Sequence, residues 1–252
     1  MSRKGGRTAL KIIDLHTHVL PGVDDGADSM ATALEMLKNA EASHVIAVAA
    51  TPHCNSPHMP RQNFYDDEYL TRLRLLRTEA EKAGLGVKIL TGMELRAQDN
   101  LNLILEQGWA LGINGSRYLL TEFRPDVSLS ECREKLQTIL DHNFVPVVAH
   151  PERYGAVWHD PSAVHEWLDM GCHAQITGGS ILGKFGRDCW QAADYLIKND
   201  LVAIVASDAH GLRYRTNNLI SVYDHLSIHY SPRYAKMVLL QNPYAIGQNE
   251  TL

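Results

Sequence analysis

The sequence feature that most constrains the fold is a repeating unit: a short apolar run rich in β-branched residues, a polar cluster, and a longer stretch with helical periodicity. The apolar runs are continuous and do not alternate in polarity, which is typical of strands buried on both faces of a parallel sheet. We predict a strand at each of seven runs, covering residues 10–15, 45–50, 87–91, 118–123, 145–149, 174–177 and 202–206.

Helix signals lie between these runs. Asp28 and Ser29 precede the first helical stretch as candidate capping residues, and Ser128 with Glu131 forms the pattern of a capping box. Gly84 and Gly171 stand where two helical stretches stop. The alternation predicts a single-domain α/β fold, either a β/α barrel or a doubly wound sheet, and both place functional residues where strands end.

Composition excludes several classes of protein. The chain has 252 residues and a formal net charge of −5, which does not suit a nucleic-acid binder. No stretch approaches the roughly 18 consecutive apolar residues of a membrane-spanning helix. We predict a flexible basic leader at residues 1–9, one domain at residues 10–252, and a cytoplasmic protein without a nucleic-acid partner or membrane insertion.

Histidine or a carboxylate stands at the end of six of the seven runs. These side chains suit Zn²⁺, Mn²⁺ or Fe²⁺, and parallel strands bring their carboxyl ends to one edge. The sixth run ends at Gln175 to Ser180, which offers no strong ligand. The sequence thus predicts a multinuclear metal site at this edge. Its candidate ligands are the strand-end residues Asp14, His16, His18, Asp24, Asp25, His53, Glu94, Glu122, His150, Glu152, Asp208 and His210.

Two other kinds of phosphate chemistry find no support in the sequence. The four cysteines are scattered, and none has an arginine six residues later, as a thiol phosphatase needs. Gly178, Gly183 and Lys184 resemble the opening of a P-loop, but Phe185 stands where serine or threonine would hold Mg²⁺. We therefore predict reduced cysteines without a catalytic role and no nucleotide site.

The strand-end motifs also resemble a known family. They are Asp14-Leu15-His16-Thr17-His18, Val23-Asp24-Asp25-Gly26, Thr51-Pro52-His53, Gly92-Met93-Glu94, His150-Pro151-Glu152-Arg153 and Ser207-Asp208-Ala209-His210. In this order they resemble the polymerase-and-histidinol-phosphatase (PHP) superfamily, and within it the bacterial metal-dependent protein-tyrosine phosphatases of the CpsB/CapC type, encoded in capsule and exopolysaccharide loci. The resemblance extends from about residue 12 to beyond Arg215.

The resemblance implies a distorted, seven-stranded (β/α)7 TIM-like barrel. It also implies three divalent metal ions, with manganese as the expected metal and iron or zinc as alternatives. Arg153 and Arg215 would clamp the phosphate, with Arg213 as a nearby competitor for the second role. The implied ligand sets are His16, His18, Glu94 and Asp208 for one ion, Glu94, Glu122 and His150 for the second, and Asp25, His53 and His210 for the third.

The implied reaction is hydrolysis of phosphotyrosine by a metal-bound hydroxide, and the implied partner is a phosphotyrosine-bearing bacterial tyrosine kinase of capsular or exopolysaccharide biosynthesis. Another PHP phosphomonoesterase, such as a histidinol-phosphate phosphatase, is the nearest alternative. An amidohydrolase and a metal-stabilised binding protein without turnover are two further ones. The residues leave open the native metal, the kinase and the oligomeric state.

Overall fold

The computed structural model describes residues 10–59 and 61–252, so the predicted leader at residues 1–9 lies outside the described residues. The described residues form nine strands. They are β1 (Ile12–Thr17), β2 (Val45–Ala50), β3 (His53–Cys54), β4 (Lys88–Thr91), β5 (Glu94–Arg96), β6 (Tyr118–Glu122), β7 (Val145–Ala149), β8 (His173–Thr177) and β9 (Ile204–Ala206).

The strands pair in parallel throughout and form two sheets, in the orders β1-β2-β4 and β3-β5-β6-β7-β8-β9. The sheets adjoin because β3 follows β2 after two residues and β5 follows β4 after two residues. A single parallel bridge between Thr17 and Ala209 links the far edges, β1 and the turn after β9. The carboxyl ends of the strands therefore meet at one rim.

All seven predicted strands are present, but the count of seven was wrong. The two additional strands, β3 and β5, have two and three residues and directly follow Pro52 and Met93. Runs this short carry no readable periodicity, and they are defined by the pairing of β3 with β5 and of β5 with β6. The α/β single-domain prediction is confirmed. Pairing leaves two sheets, so the closed barrel stays a prediction.

Helices cover the strands. Within the described residues they are α1 (Met30–Ala42), α2 (Asp67–Lys82), α3 (Leu101–Glu106), α4 (Leu129–Asp141), α5 (Gly155–His159), α6 (Val164–Asp169), α7 (Gly178–Ile181), α8 (Arg187–Lys198), α9 (Ile220–His229), α10 (Pro232–Lys236) and α11 (Asn242–Gly247), with a π-helical segment at Met237–Gln241 before α11. No helix of residues 10–59 or 61–252 combines the length and the apolar character needed to cross a bilayer.

The predicted helix caps are found, with one correction. Ser29 Oγ accepts a hydrogen bond from Thr32 N at 3.2 Å, and Ser128 Oγ accepts one from Glu131 N at 3.2 Å. The Glu131 carboxylate does not complete the capping box, because it pairs with Arg124 Nη2 at 3.1 Å. The cap of α4 is therefore one-sided.

Two apolar clusters follow from the alternation of side chains along each strand. Helix-facing residues such as Val48, Leu119 and Val148 belong to the larger cluster. Residues of opposite parity face the space between the strands, where α11 adds Ile246. This inner cluster consists of Ile13, Leu15, Ala47, Ala49, Ile113, Tyr118, Leu120, Val147, Ala149, Ile204 and Ile246.

Candidate metal centre

The carboxyl end of β1 places two histidines side by side. The Nε2 atoms of His16 and His18 lie 3.2 Å apart, and both residues are fully buried. Each ring is held through its other nitrogen. His16 Nδ1 donates to Gln175 Oε1 at 2.8 Å, and His18 Nδ1 donates to Asp24 Oδ2 at 2.8 Å. Both Nε2 atoms are consequently directed at the same space, as in a shared metal site.

Glu94, the first residue of β5, is the carboxylate that four histidines surround. Its Oε1 lies 3.3 Å from His16 Nε2 and 2.8 Å from His150 Nε2. Its Oε2 lies 3.3 Å from His18 Nε2 and 2.9 Å from His53 Nδ1. Burial raises the pKa of Glu94, but His16 and His53 outweigh it and hold the pKa well below its usual value. An ionised carboxylate with its two oxygens toward different histidines is suited to bridge two ions.

Asp208 follows β9 and faces both histidines and arginines. Its Oδ1 lies 3.4 Å from His16 Nε2 and 3.5 Å from His18 Nε2. Its Oδ2 lies 2.7 Å from Arg153 Nη1 and 2.5 Å from Arg215 Nη2. Burial raises the pKa of Asp208, but His16 and Arg153 outweigh burial and hold it well below the usual range. The carboxylate thus joins the ligand cluster to the two predicted phosphate-binding arginines.

Two of the strand-end residues have left-handed backbone. The φ angles are 36° at His150 and 52° at Asp208, which cost about 1–3 kcal/mol each in residues other than glycine. The turn at Asp208 is held by β1, because Asp208 N donates to His16 O at 2.9 Å and His18 N donates to Ala209 O at 2.9 Å. Cross-strand hydrogen bonds therefore maintain the strained backbone that aims the Asp208 side chain inward.

A further set of ligand atoms lies nearer the surface. Asp25 Oδ1 lies 3.5 Å from His53 Nε2 and 3.3 Å from His210 Nε2, and His18 belongs to the same set. The adjacent His210 ring is the main cause of the lowered pKa of Asp25. Burial, with His18 nearby, lowers the pKa of His210 to about 4. At neutral pH Asp25 is therefore a carboxylate and His210 a neutral imidazole, the forms that bind metal.

Asp24 has a different place from its neighbour Asp25. Its Oδ2 accepts hydrogen bonds from His18 Nδ1 at 2.8 Å and His53 N at 3.0 Å, and its Oδ1 accepts from Gly26 N at 3.0 Å. The loop is tight at Gly26, where a Cβ atom would lie 2.1 Å from His18 O. Asp25 therefore lies among the ligand atoms, while Asp24 orients the segments that carry His18 and His53.

Glu122, at the end of β6, completes the cluster on the side of His53. Its Oε1 lies 3.2 Å from His53 Nδ1, and Arg96 Nη1 donates to it at 3.3 Å. Burial would lower the pKa of His53, but Glu94 and Glu122 raise it to about 10. The sequence analysis did not identify Arg96 as a functional residue. Only the pairing of β5 with β6 shows that Arg96 lies opposite Glu122.

All nine residues that the family resemblance implies as ligands lie in four overlapping sets whose ligand atoms are within 4.8 Å of one another. The grouping differs from the expected one in four places. His18 also belongs with Asp25, and His53 also belongs with Glu94 and Glu122. His150 groups with His16 rather than with Glu122, and Asp208 groups with His16 and His150 rather than with His18 and Glu94. The sets are His18, Asp25, His53 and His210; His16, His18 and Glu94; His16, His150 and Asp208; and His53, Glu94 and Glu122.

Unsatisfied polar atoms test whether metal ions fit these sets. Among the described residues, six buried atoms of the cluster lack a hydrogen-bond partner: His53 Nδ1, Glu94 Oε2, His150 Nδ1, Asp208 Oδ1, Asp208 Oδ2 and His210 Nε2. Of these, Asp208 Oδ2 is in ion pairs with Arg153 and Arg215. Buried polar atoms without partners destabilise a fold. Imidazole nitrogens and carboxylate oxygens are also the donors that Mn²⁺, Fe²⁺ and Zn²⁺ accept. The residues therefore fit divalent cations.

Two buried residues within strands support the ligands, and neither was assigned this role from the sequence. Gln175, on the strand that seemed to offer nothing, accepts the His16 Nδ1 hydrogen bond. Asp14 accepts hydrogen bonds from Ser207 N at 2.9 Å and Ser207 Oγ at 2.6 Å, which ties β1 to the turn before Asp208. Burial raises the pKa of Asp14 to about 6. A lone polar residue inside an apolar run is a signal that could have found both.

The His-Pro-Glu-Arg segment holds a third supporting residue. Glu152 is fully buried, and its Oε1 accepts hydrogen bonds from Thr177 N at 2.9 Å and Ser180 Oγ at 2.7 Å. These bonds attach the segment of Arg153 to the end of β8. Next to it, the Arg153 guanidinium lies over the Phe185 ring, 4.3 Å from its centroid. Phe185, which occupies the position of the serine or threonine of a P-loop, thus packs against Arg153, a predicted phosphate-binding residue.

The cysteines do not provide an alternative nucleophile. All four are free and buried, and burial raises the pKa of Cys132 and of Cys172 to about 12. Burial likewise raises the pKa of Cys54, which directly follows His53. These thiols stay protonated at neutral pH, so a thiolate mechanism has no candidate.

Comparisons with known proteins agree with this site. The family described as capsular polysaccharide synthesis, CpsB/CapC, matches residues 12–248. CapC of Staphylococcus aureus is 32% identical over 205 residues, covering 81% of this chain and 79% of that protein. The tyrosine-protein phosphatase YwqE of Bacillus subtilis is 30% identical over 206 residues, with coverage of 81% and 79%.

A solved structure extends the similarity to three dimensions. It is described as one of the metal-dependent tyrosine phosphatases YwqE from Bacillus subtilis and CpsB from Streptococcus pneumoniae. It matches with a TM-score of 0.86 and 27% sequence identity, covering 96% of each chain. This chain therefore belongs to the CpsB/CapC family of capsular polysaccharide synthesis.

Proposed function

We propose that this chain is a metal-dependent tyrosine-protein phosphatase that uses no cysteine nucleophile. The observation that carries the proposal is the position of Asp208, with one oxygen toward His16 and His18 and the other 2.7 Å and 2.5 Å from Arg153 and Arg215. Ligands for cations and donors for a phosphate group therefore adjoin at one carboxylate. Family relatives named tyrosine-protein phosphatases support the same activity.

The nine clustered residues would hold three divalent ions. Manganese is the expected metal, and iron and zinc are the alternatives. Glu94 would bridge two of them, and Asp25 rather than Asp24 would be a ligand. Bound ions of this kind supply Lewis acidity and lower the pKa of water from about 15.7 toward 7. In this proposal, the two sheets together form a distorted barrel, and its strands carry these ligands.

Arg153 and Arg215 would bind the phosphate and stabilise its charge in the transition state, as planar guanidinium groups do in bidentate contacts. Arg153 Nε and Nη2 are buried without a hydrogen-bond partner among the described residues, so this side chain has donors to offer. The Phe185 ring limits its movement. Arg213 is exposed and has no ion pair in the described part of the chain, which leaves Arg215 as the second clamp.

Phosphotyrosine, a phosphate monoester of a phenol, is a suitable substrate for a site with metal ligands and arginines. Its leaving group is a phenolate with a pKa of about 10, so protonation during departure is less important than for an alkoxide. The substrate would be a phosphotyrosine-bearing bacterial tyrosine kinase of capsular or exopolysaccharide biosynthesis, and the reaction would take place in the cytoplasm. Membership in a capsule synthesis family supports that setting.

Initial rates on a phosphotyrosine peptide, a phosphoserine peptide and histidinol phosphate test the proposal. One preparation should be reconstituted with Mn²⁺, and its metal content should be measured per chain. We expect preference for phosphotyrosine and loss of turnover after chelation. Preference for histidinol phosphate would contradict the substrate and retain the metal site. Absence of turnover at full metal loading would contradict the enzymatic role.

A further inference from the structure

The loop between β9 and α9 forms a closed projection beside the metal ligands. His210 N and Gly211 N both donate to Arg215 O, at 3.0 Å and 3.1 Å, so the chain returns on itself within five residues. Arg215 Nε in turn donates to Asp208 O at 3.1 Å. The base of the loop is therefore attached to the site, and residues 212–214 form its tip.

The tip exposes two large apolar side chains close together, which is uncommon for a surface loop without a binding partner. Tyr214 is 90% exposed and Leu212 is 42% exposed, and Arg213 between them is exposed as well. Neighbouring exposed apolar side chains mark interaction sites more often than isolated ones do. Arg213 forms no ion pair with any described residue, so its charge is available to a partner.

The tip and the clamp border the same cavity. Leu212, Arg213 and Tyr214 line a cavity of about 430 Å³ together with His210 and Arg215. Its other wall is formed by Gly26, the last residue of the Val-Asp-Asp-Gly motif, together with Asp28 and Thr32. A phosphate held by Arg215 would thus leave the residues on either side of the phosphotyrosine beside the loop tip.

We propose that residues 212–214 bind the polypeptide that flanks the phosphotyrosine of a protein substrate, with Leu212 and Tyr214 contacting apolar side chains and Arg213 contacting acidic ones. This inference rests on the proposed function and adds to it. The clamp and the ligands act on the phosphate, whereas the loop selects for a protein. Small aryl phosphates lack the flanking residues and would not depend on the tip.

Kinetics on two substrates separate these roles. The substrates are a phosphotyrosine peptide with leucine and glutamate flanking the phosphotyrosine, and p-nitrophenyl phosphate. For Leu212→Ala combined with Tyr214→Ala, we expect KM for the peptide to rise about tenfold with kcat unchanged. Both constants for p-nitrophenyl phosphate should stay as in the wild type. Arg213→Gln should raise KM for this peptide but not for one flanked only by leucine.

A matched control removes the same side chains elsewhere, as Ile228→Ala and Tyr244→Ala, which are 76% and 52% exposed on α9 and α11. This variant should match the wild type on both substrates. An unchanged peptide KM in the loop variant would overturn the inference, as would an equal loss on both substrates. If the wild type hydrolyses p-nitrophenyl phosphate but not the phosphotyrosine peptide, the proposed function fails instead.

Discussion

The two ends of the parallel strands differ in what their inward-facing positions carry. On β6 the change occurs within one strand: Tyr118 and Leu120 belong to the inner apolar cluster, and Glu122 is a candidate ligand. On β1, Ile13 and Leu15 belong to the same inner cluster, and the register irregularity between Asp14 and Thr17 interrupts the alternation where the ligand His16 lies. One inner space is therefore filled with apolar side chains at its amino-terminal end and lined with metal-binding groups at its rim.

Polar groups are treated differently at the two ends. At the amino-terminal end, Tyr118 Oη donates to Glu250 O at 2.7 Å and Asn114 Nδ2 donates to Gly247 O at 2.9 Å, which fastens the chain after α11. At the rim, Glu94 Oε2 and Asp208 Oδ1 are buried without a partner. Satisfied polar groups and apolar packing stabilise the fold, whereas unsatisfied ones keep a place for a ligand. Substitutions at the two ends should separate activity from stability.

The largest effect should come from Glu94→Gln, which removes the central charge that four histidines surround. We expect kcat/KM for phosphotyrosine peptide to fall about a thousandfold, with less metal bound per chain. Steady-state kinetics and elemental analysis measure both, and Glu106→Gln on the exposed face of α3 is the control. Wild-type metal content with wild-type turnover would remove Glu94 from the site.

The opposite end should respond in stability alone. Ile246→Ala removes a fully buried side chain from the inner cluster, and we expect the free energy of unfolding to fall by about 3 kcal/mol. Metal content and kcat/KM at 25 °C should stay unchanged because Ile246 belongs to the inner apolar cluster, which contains none of the candidate ligands. Denaturant unfolding gives the first quantity, with exposed Ile228→Ala as control. A parallel loss of metal would show that the two ends are coupled.

Within the rim, the phosphate donors should be separable from the metal ligands. Arg215→Ala should lower kcat/KM about a hundredfold on both phosphotyrosine peptide and p-nitrophenyl phosphate, as loss of one donor to a developing anion does. Metal content should remain at the wild-type level. Arg133→Ala, at an exposed ion pair with Glu166, is the matched control. Unchanged kinetics would exclude Arg215 as a clamp.

The smallest effect should come from a residue that contacts no ion. Gln175→Met removes the acceptor of the His16 Nδ1 hydrogen bond, and we expect metal affinity to fall about tenfold while kcat at saturating metal is retained. Titration of the chelated protein with Mn²⁺ measures the shift, and exposed Gln137→Met controls for the substitution itself. A fall in kcat at saturating Mn²⁺ would mean that Gln175 acts on the reaction directly.

Sequence reasoning worked best where the information is local. Each apolar run is a strand because continuous β-branched segments suit a sheet buried on both faces, and the next polar residue then falls at the rim. His16, Glu94, His150 and Asp208 could be chosen in this way. The family resemblance, carried by the same motifs, is confirmed by the match over residues 12–248.

What the sequence determined by itself is the α/β class, the set of rim residues and the family, since each depends on the order and type of residues along the chain. Tertiary structure decided which of these atoms lie together: the place of Asp25 against Asp24, the roles of Gln175, Glu152 and Arg96, and the pairing of β3 with β5. Those contacts join residues far apart in the chain. Strand register and strained turns such as Asp208 set them, and neither leaves a pattern in the sequence.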